Sequence, residues 1–179
     1  MDRSSLCKCR APIGAVRLWD IATGQTLSVV SGHAADAQTV VFSPDGKLVA
    51  TSGDHDTAGI WNLLTGKDLM VLKQNDNVTG IAFSPDEKYL VTCSFDGSVR
   101  LWEVATGKEV RRFAGHTSEV RAVAFSPDGK YILTASFDGT SRLWFTDIHN
   151  TIRAVCALLT SEERIQFGVS NEGPTCPAQ

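Results

Sequence analysis

Short apolar runs separated by polar turn signals recur along the chain. One stretch reads VRAVAF (120–125), KYILTAS (130–136) and SRLW (141–144), with SPDG and FDGT between the runs. Runs of this length that are rich in β-branched residues and bounded by Gly, Pro, Asp and Ser are typical of β-strands. We label these strands a, b and c. A fourth strand, d, is predicted after each tryptophan, as in GKEVRRFAGH, where Thr106-Gly107 supplies the turn.

Tryptophans close the predicted c strands at nearly constant intervals. The gaps between Trp19, Trp61, Trp102 and Trp144 are 42, 41 and 42 residues. An FSPD sequence begins 19 residues before each of the last three, at Phe42, Phe83 and Phe125. A period of about 40 residues is typical of tandem repeats, and one such unit cannot bury its own apolar faces. We therefore expect the repeats to stack on one another.

Two further motifs accompany the tryptophans. GH occurs at Gly32-His33 and Gly115-His116, and SFDG occurs at 94–97 and 136–139. With these motifs, roughly residues 15–145 resemble the WD-repeat family. The resemblance implies a β-propeller, in which four-stranded antiparallel sheets, the blades, are arranged around a central axis.

The predicted strands do not complete a ring. They comprise strands c and d of one blade (15–31), two full blades (38–72 and 78–113) and strands a, b and c of another (120–145). The predicted fold class is all-β, a partial β-propeller of about three and a half four-stranded antiparallel blades. Closed propellers have about 4–8 blades, so unpaired strand edges are expected.

The segments on either side of the repeats differ from them. Residues 1–14 are predicted to be a disordered leader. Residues 146–179 are predicted to be a helical extension and tail, because the apolar residues Ile148, Ile152, Val155, Cys156 and Leu159 have helical spacing. The extension is similar to those that close WD-repeat regions of large bacterial multidomain proteins. We therefore expect that the chain is the C-terminal portion of a bacterial-type WD-repeat protein and that its repeats begin in the middle of a blade.

Composition and charge narrow the classes of function. The chain has 179 residues with 42% hydrophobic content, which predicts a folded protein. A net charge of −3 without a Lys/Arg cluster predicts no nucleic-acid partner. No signal-like apolar run begins the sequence and no stretch of about 18 apolar residues occurs, which predicts a cytoplasmic protein without membrane contact. Five cysteines, an odd number, favour reduced thiols.

The family resemblance implies a buried hydrogen-bonded tetrad in each blade. It joins the His of GH, a Ser or Thr of strand b, an Asp of the b–c turn and the Trp of strand c. In the last blade these positions hold His116, Ser136, Asp138 and Trp144.

The other two full blades depart from this pattern. The middle blade has Ser94, Asp96 and Trp102, with Gln74 at the histidine position, which predicts a weaker network. The first full blade keeps His33 and Trp61, but it has Gly53 and His55 at the serine and aspartate positions.

These polar residues could have a catalytic or a structural role. Ser, His and Asp together could form a hydrolase triad, but no Gly-x-Ser-x-Gly elbow is present to expose the serine. Asp54, His55 and Asp56 could bind a divalent metal, but three consecutive residues do not converge easily on one ion, so a polar surface turn is favoured. The sequence therefore predicts no enzyme, no cofactor and no metal site.

Partner-binding candidates come from the d–a and b–c connections, which emerge at the same end of a blade. The aromatic candidates are Phe95 and Phe137, expected side by side on adjacent blades; the charged and polar candidates are Arg121, Asp54, His55, Asp56, Asp76 and Glu119. Exposed aromatic residues are enriched in binding hot spots, although these rings could equally pack on neighbouring turns. The acidic residues favour basic or neutral peptide segments.

The sequence thus predicts a non-catalytic protein–protein interaction or scaffold module of a regulatory or signalling protein. Two alternatives remain at this stage. Two chains could join edge to edge as a homodimer that closes a seven-bladed ring, or the chain could be a truncated fragment without independent function. A hydrolase or metal-dependent enzyme is the interpretation that the residues favour least.

Overall fold

The computed structural model describes residues 4–7, 16–30, 37–53 and 56–147; for 4–7 and Val30 only the backbone is described. These residues form fourteen β-strands and no helix. The strands are β1 (Ser4–Cys7), β2 (Val16–Asp20), β3 (Thr26–Val30), β4 (Ala37–Phe42), β5 (Leu48–Gly53), β6 (Thr57–Asn62), β7 (Asp68–Lys73), β8 (Val78–Phe83), β9 (Tyr89–Ser94), β10 (Val99–Glu103), β11 (Glu109–Phe113), β12 (Val120–Phe125), β13 (Tyr131–Ser136) and β14 (Ser141–Phe145). The prediction of an all-β repeat region is confirmed. The predicted helical extension lies outside the described residues.

The strands form four antiparallel sheets, each following chain order. Sheet 1 contains β1–β3, sheet 2 β4–β7, sheet 3 β8–β11 and sheet 4 β12–β14. Sheets 2 and 3 have the predicted order a-b-c-d, and sheet 4 has strands a, b and c. This arrangement is consistent with a partial β-propeller.

Sheet 1 differs from the prediction at its first strand. Ser4–Cys7, expected in a disordered leader, form β1 and pair antiparallel with β2, with Ser5 opposite Trp19 and Cys7 opposite Arg17. The prediction of disorder is therefore wrong for these four residues. The physical reason is that β2 would otherwise present a row of unpaired backbone groups on this edge, and β1 pairs with them. β1 takes the place of strand b in this sheet.

Two kinds of turn join the strands. The c–d hairpins of sheets 1, 2 and 3 turn at Gly24, Gly66 and Gly107, whose φ angles of 68°, 65° and 68° suit glycine. The a–b turns are Ser-Pro-Asp turns that begin at Ser43, Ser84 and Ser126. Each serine hydroxyl donates to the aspartate two residues later, at 2.7, 2.7 and 2.6 Å.

The core lies between successive sheets. Val16 and Leu18 of sheet 1 pack against Trp61 and Leu63 of sheet 2. The next two interfaces are built in the same way: Ala50, Ile60 and Leu72 pack against Ile81, Phe83 and Trp102, and Val91, Cys93 and Leu101 pack against Val120 and Ile132. Each sheet therefore has a front, which carries its tryptophan and faces the preceding sheet, and a back, which faces the following sheet.

Candidate partner-binding site

In three sheets, a threonine of strand b fixes the tryptophan of strand c. The indole nitrogens of Trp61, Trp102 and Trp144 donate to the hydroxyl oxygens of Thr51, Thr92 and Thr134, at 2.7, 2.8 and 2.9 Å. Thr51 and Thr92 are fully buried and Thr134 is 1% exposed. A buried indole N–H without a partner would be costly, so these bonds hold each ring in a defined orientation.

Sheet 4 extends this pair into a chain of four side chains. His116 Nε2 lies 2.8 Å from Thr134 Oγ1, and His116 Nδ1 lies 2.7 Å from Asp138 Oδ2. Ser136 was expected in this network, but Thr134 occupies that place in the structure. In the β13–β14 register Trp144 is opposite Ile132, so Thr134 is its diagonal neighbour on the same face, while Ser136 lies beyond it at the strand end.

Ser136 has a different role at that end of the strand. Its hydroxyl donates to the backbone carbonyl of Glu119 at 2.8 Å and accepts from the backbone N–H of Asp138 at 3.1 Å. It therefore ties the b–c turn to the d–a connection. Thr134 and Ser136 are two residues apart in one strand, so their side chains lie on the same face. The sequence alone therefore does not show which of the two hydroxyls reaches the indole.

Hydrogen bonds keep Asp138 ionised. The side chain of Thr140 donates to it at 2.6 Å, and His116 and the backbone N–H of Thr117 also contact its carboxylate. These bonds, above all that from Thr140, hold the pKa of Asp138 well below its usual range, against a smaller opposing effect of burial.

In sheet 3 the corresponding network is divided. Gln74 Nε2 donates to Thr92 Oγ1 at 2.6 Å, in the position that His116 has in sheet 4. Asp96 instead lies 3.9 Å from Arg100 and 3.6 Å from Arg112. Burial acts to raise the pKa of Asp96, but hydrogen bonds from Ser98 and the charge of Arg100 outweigh it and lower the pKa. Ser94 Oγ accepts from the Asp96 backbone N–H at 3.3 Å and does not contact Trp102 in the way predicted.

For sheet 2 the structure places only part of the predicted network. Trp61 contacts Thr51, whereas the predicted serine position holds Gly53. His33, Asp54 and His55 lie outside the described residues. Asp56 is described and exposed. Within the described ranges, no group of three His, Cys, Asp or Glu residues has the geometry of a metal site.

The chemistry of the sheet 4 network is structural. Asp138, His116 and Thr134 follow one another as carboxylate, imidazole and hydroxyl, which is the order of a hydrolase triad. However, the Thr134 hydroxyl is 1% exposed, and its oxygen accepts the indole N–H of Trp144. A nucleophile must reach its substrate, and this hydroxyl is enclosed within the blade. The network therefore fixes the loops at its end of sheet 4.

Those loops hold a stacked cluster of aromatic and charged side chains. The Arg121 guanidinium lies 4.4 Å from the ring centre of Phe95 and 4.6 Å from that of Phe137. Arg121 Nη2 also donates to Glu119 Oε2 at 2.6 Å. We call these four residues the loop-end cluster. Phe137 is 67% exposed, so the cluster presents an aromatic ring to solvent.

The two SFDG turns and Arg121 are brought together by specific backbone features. The backbone N–H of Phe95 donates to Asn77 O at 3.1 Å, and that of Phe137 donates to Glu119 O at 2.9 Å, so each b–c turn is bound to a d–a connection. β12 has an irregular register between Val120 and Ala122, at Arg121. Such bulges redirect a side chain, and here the guanidinium lies over rings from two sheets.

From the sequence, the two rings and the cation are separate candidates. The structure joins them, since Arg121 lies over Phe95 of sheet 3 and Phe137 of sheet 4. Asp76 is exposed, and its carboxylate accepts the backbone N–H of Asn77 at 2.8 Å. The bulge in strand a, which places Arg121 over both rings, could not be predicted, because an extra residue in a strand is not visible in an apolar pattern.

A cavity of about 590 Å³ lies at the other end of the sheets, between the a–b turns of sheets 3 and 4. Its walls include the acidic residues Asp86 and Asp128, which lie 3.4 and 3.5 Å from the amines of Lys88 and Lys130. The Arg111 guanidinium in its wall donates to the Phe145 carbonyl at 2.9 Å. Asp147 also lines the cavity, so its walls carry three carboxylates and one guanidinium, and two of the carboxylates are paired with lysines.

A family model described as WD domain, G-beta repeat matches residues 24–62, 66–103 and 107–144. Each match ends at or just after the tryptophan of a c strand. No helix long and apolar enough to cross a membrane occurs in the part of the chain that the structure describes.

Several known proteins are similar to parts of this chain. Periodic tryptophan protein 2 of Arabidopsis thaliana is 30% identical over 67 residues, which cover 37% of this chain and 7% of that protein. Small ribosomal subunit protein RACK1 of Drosophila melanogaster is 33% identical over 66 residues, 37% of this chain and 21% of that protein. Nuclear distribution protein PAC1 of Arthroderma otae is 35% identical over 49 residues, 27% of this chain and 11% of that protein. The matched region therefore spans 7% to 21% of the length of these relatives.

Proposed function

The chain belongs to the WD40 repeat family, and we propose that it is a non-catalytic module that binds other proteins through the loop-end cluster. Three matched repeats support this proposal at the level of the family, whose members are generally interaction scaffolds. The fold does not by itself identify a binding surface, so the surface is argued from the residues at the loops.

The exposed ring of Phe137 is the observation that carries the proposal. One face of the ring lies under Arg121, which also contacts Phe95, so the ring is held in place before any partner arrives. An aromatic side chain that is both exposed and held in place loses little conformational freedom on binding. Such residues commonly supply much of the binding energy at protein interfaces.

The charges around the cluster favour a basic or neutral peptide segment. The Arg121 guanidinium is already bonded to Glu119, so it offers little to an acidic ligand. Asp76 and Asp56 are exposed on the d–a and b–c connections at the same end. A Lys or Arg of a partner would find carboxylates there and an aromatic face at Phe137.

Selection from a random peptide library tests this proposal. We expect the immobilised chain to enrich sequences that contain Lys or Arg beside an apolar residue. Phe137→Ala should weaken the selected peptides about 30-fold, the usual loss at an interface hot spot. Leu64→Ala is the matched control, because Leu64 is 86% exposed on the c–d turn of sheet 2 and belongs to the other end.

Failure would be recognisable in two ways. A library that yields no enriched sequence would contradict a peptide-binding function. Peptides that bind Phe137→Ala as well as the parent chain would place the binding surface elsewhere. Charge neutralisation of Glu119, Asp76 and Asp56 together should weaken a basic peptide, and an unchanged affinity would contradict the proposed partner chemistry.

We further propose that the module acts in the cytoplasm as part of a regulatory or signalling protein and does not bind nucleic acid. The net charge of −3 and the lack of a basic cluster support the last point. The relatives named above come from a plant, an insect and a fungus, so a bacterial source stays a prediction.

A further inference from the structure

The back of sheet 4 exposes apolar side chains that the preceding sheets bury. Leu133 is 51% exposed and Leu143 is 62% exposed. Ala122 and Ala124, on the neighbouring strand β12, are exposed as well. The side chains on the front of the same sheet, Val120 and Ile132, are fully buried against sheet 3. One face of this sheet is therefore covered and the other is open.

The open face repeats a face that is covered elsewhere in the molecule. Val91 and Leu101 of sheet 3 lie 42 residues before Leu133 and Leu143, by 133 − 91 and 143 − 101. They are 0% and 2% exposed, because the front of sheet 4 packs on them. The position of Leu143 is held by Leu18, Ile60 and Leu101 in sheets 1, 2 and 3, and all three are buried. The open face thus continues a series of three existing interfaces.

The front of sheet 1 is the counterpart at the other end. Its tryptophan, Trp19, occupies the position of Trp61, Trp102 and Trp144, each of which faces a preceding sheet. Among the described residues, no hydrogen-bond partner contacts the buried indole nitrogen of Trp19. Arg17, on the same face of β2, is exposed. In the part of the chain that the structure describes, the back of sheet 4 is therefore open, and the front of sheet 1 has an exposed arginine and a half-buried tryptophan whose indole N–H lacks a partner.

We propose that a second copy of this chain covers these faces, with the back of sheet 4 in one copy against the front of sheet 1 in the other. The chain itself supplies this occupant, since each covered back in the structure meets the front of another repeat of the same chain. Two such contacts, related by a twofold axis, close a ring.

Twofold symmetry gives this proposed ring an even number of sheets, which differs from the seven blades counted from the sequence. The described residues of each copy form four sheets, so two copies give eight. The fourteen described strands of one copy are shared among two four-stranded and two three-stranded sheets, and the three-stranded sheets meet at the two contacts. Eight sheets lie within the usual size of closed propellers, about 4–8 blades.

Light scattering and sedimentation velocity of the full chain test the proposal over about 1–100 μM, the range of weak to moderate self-association. We expect a discrete species of two chains, each of 19.3 kDa. Leu143→Glu should raise the dimer dissociation constant about 30-fold or more, because it places a charge in the apolar contact. Leu133→Glu is a second variant of the same face, and Leu64→Glu is the control at an exposed leucine outside it.

Arg17→Glu separates a head-to-tail contact from a back-to-back contact. The head-to-tail arrangement places Arg17 at the contact, so the variant should weaken the dimer. A dimer sensitive to Leu143→Glu and indifferent to Arg17→Glu would mean that two backs pair, which would overturn the proposal.

Three further results would also overturn it. A monomer at every concentration would mean that something other than a second copy covers the face, either residues 148–179 of the same chain or another protein. A dimer unaffected by both Leu143→Glu and Leu133→Glu would place the contact elsewhere. A continuous series of larger species would show that the contact does not close a ring of two chains.

Circular dichroism on each variant confirms that it is folded. The inference does not depend on the loop-end cluster, which these variants leave intact.

Discussion

Gln74 donates a hydrogen bond of 2.6 Å to the hydroxyl of Thr92, where His116 contacts Thr134 in the following sheet. An imidazole ring can bond a hydroxyl on one side and a carboxylate on the other, which is what His116 does with Asp138. The Gln74 side chain makes the first of these contacts, and its Oε1 is buried without a hydrogen-bond partner in the described part of the chain. The aspartate of that sheet, Asp96, instead forms ion pairs with Arg100 and Arg112.

We expect Gln74→His to stabilise the protein. The substitution removes a buried acceptor that lacks a partner and supplies a nitrogen that can bond Asp96, so the free energy of unfolding should rise by about 1 kcal/mol. Urea unfolding followed by tryptophan fluorescence measures the change. Asp96→Asn in the same background is the control and should remove most of the gain. A loss of stability in the single variant would contradict the interpretation that Gln74 replaces only one of the two hydrogen bonds that a histidine makes at this position.

Thr134→Val should break the network of sheet 4. It leaves His116 Nε2 and the Trp144 indole without their shared hydroxyl, so the free energy of unfolding should fall by about 1–3 kcal/mol. Thr134→Ser, which keeps the hydroxyl, should recover most of that loss. Hydrogen exchange of the Trp144 indole N–H provides the specific readout and should become faster in Thr134→Val. Faster exchange in Ser136→Ala, with no change in Thr134→Val, would restore the assignment first made from the sequence.

The lowered pKa of Asp138 predicts a particular loss of stability in acid. Because its folded pKa lies below the unfolded value of about 3.9, the carboxylate stabilises the fold above that value, and the contribution is lost as the pH falls through the folded pKa. The wild-type chain should therefore lose more stability than Asp138→Asn between about pH 5 and about pH 3. Urea midpoints across this range measure the difference. Parallel curves for the two proteins would show that Asp138 contributes nothing to the acid response.

Gly107 and Gly24 make a matched pair for the c–d turn. Both have φ of 68°, so alanine at either position should cost about 1–2 kcal/mol. A Cβ at Gly107 would also lie near the Met70 sulfur, whereas none of the described atoms lies within 4 Å of a Cβ at Gly24. Gly107→Ala should therefore cost more than Gly24→Ala. In a double-mutant cycle, Met70→Ala should reduce the excess, and equal costs at both glycines would mean that the thioether yields without strain.

The strands could be predicted well from the sequence, because the same apolar runs and turn sequences occur in each repeat. The apolar run VRAVAF placed β12 at Val120–Phe125, the bounds found in the structure. Matching the repeats by their Phe and Trp residues gave the wrong hydroxyl, because it took the serine at the end of strand b, whereas the indole bonds its diagonal neighbour in that strand. Thr92 and Thr134 are both in strand b, two residues before the serines that were chosen.

Features without a repeated signal were harder to predict. β1 has neither the tryptophan nor the turn sequence of the other strands, and its four residues pair with β2 through backbone groups that any sequence supplies. The position of Arg121 over two rings depends on a bulge, which changes the direction of a side chain without changing the order of residues. The pairing of Asp96 with Arg100 and Arg112 joins a turn to β10 and β11, so it becomes visible only when these elements are in place.

The Ser-Pro-Asp turns have a consequence for how the chain is made. In the first of them the Ser43 hydroxyl donates to Asp45, and the backbone N–H groups of Lys47 and Leu48 donate to Asp45 and Ser43 at 3.0 and 2.9 Å. All of these groups lie within six consecutive residues, so these hydrogen bonds of the turn that joins β4 to β5 can form before the next sheet is present. The ribosome releases residues in chain order, so this turn leaves the ribosome before Trp61 and the outer strands of the same sheet. Each repeat can therefore set its first hairpin during synthesis, which keeps strand edges paired at the stage when they are most open to aggregation.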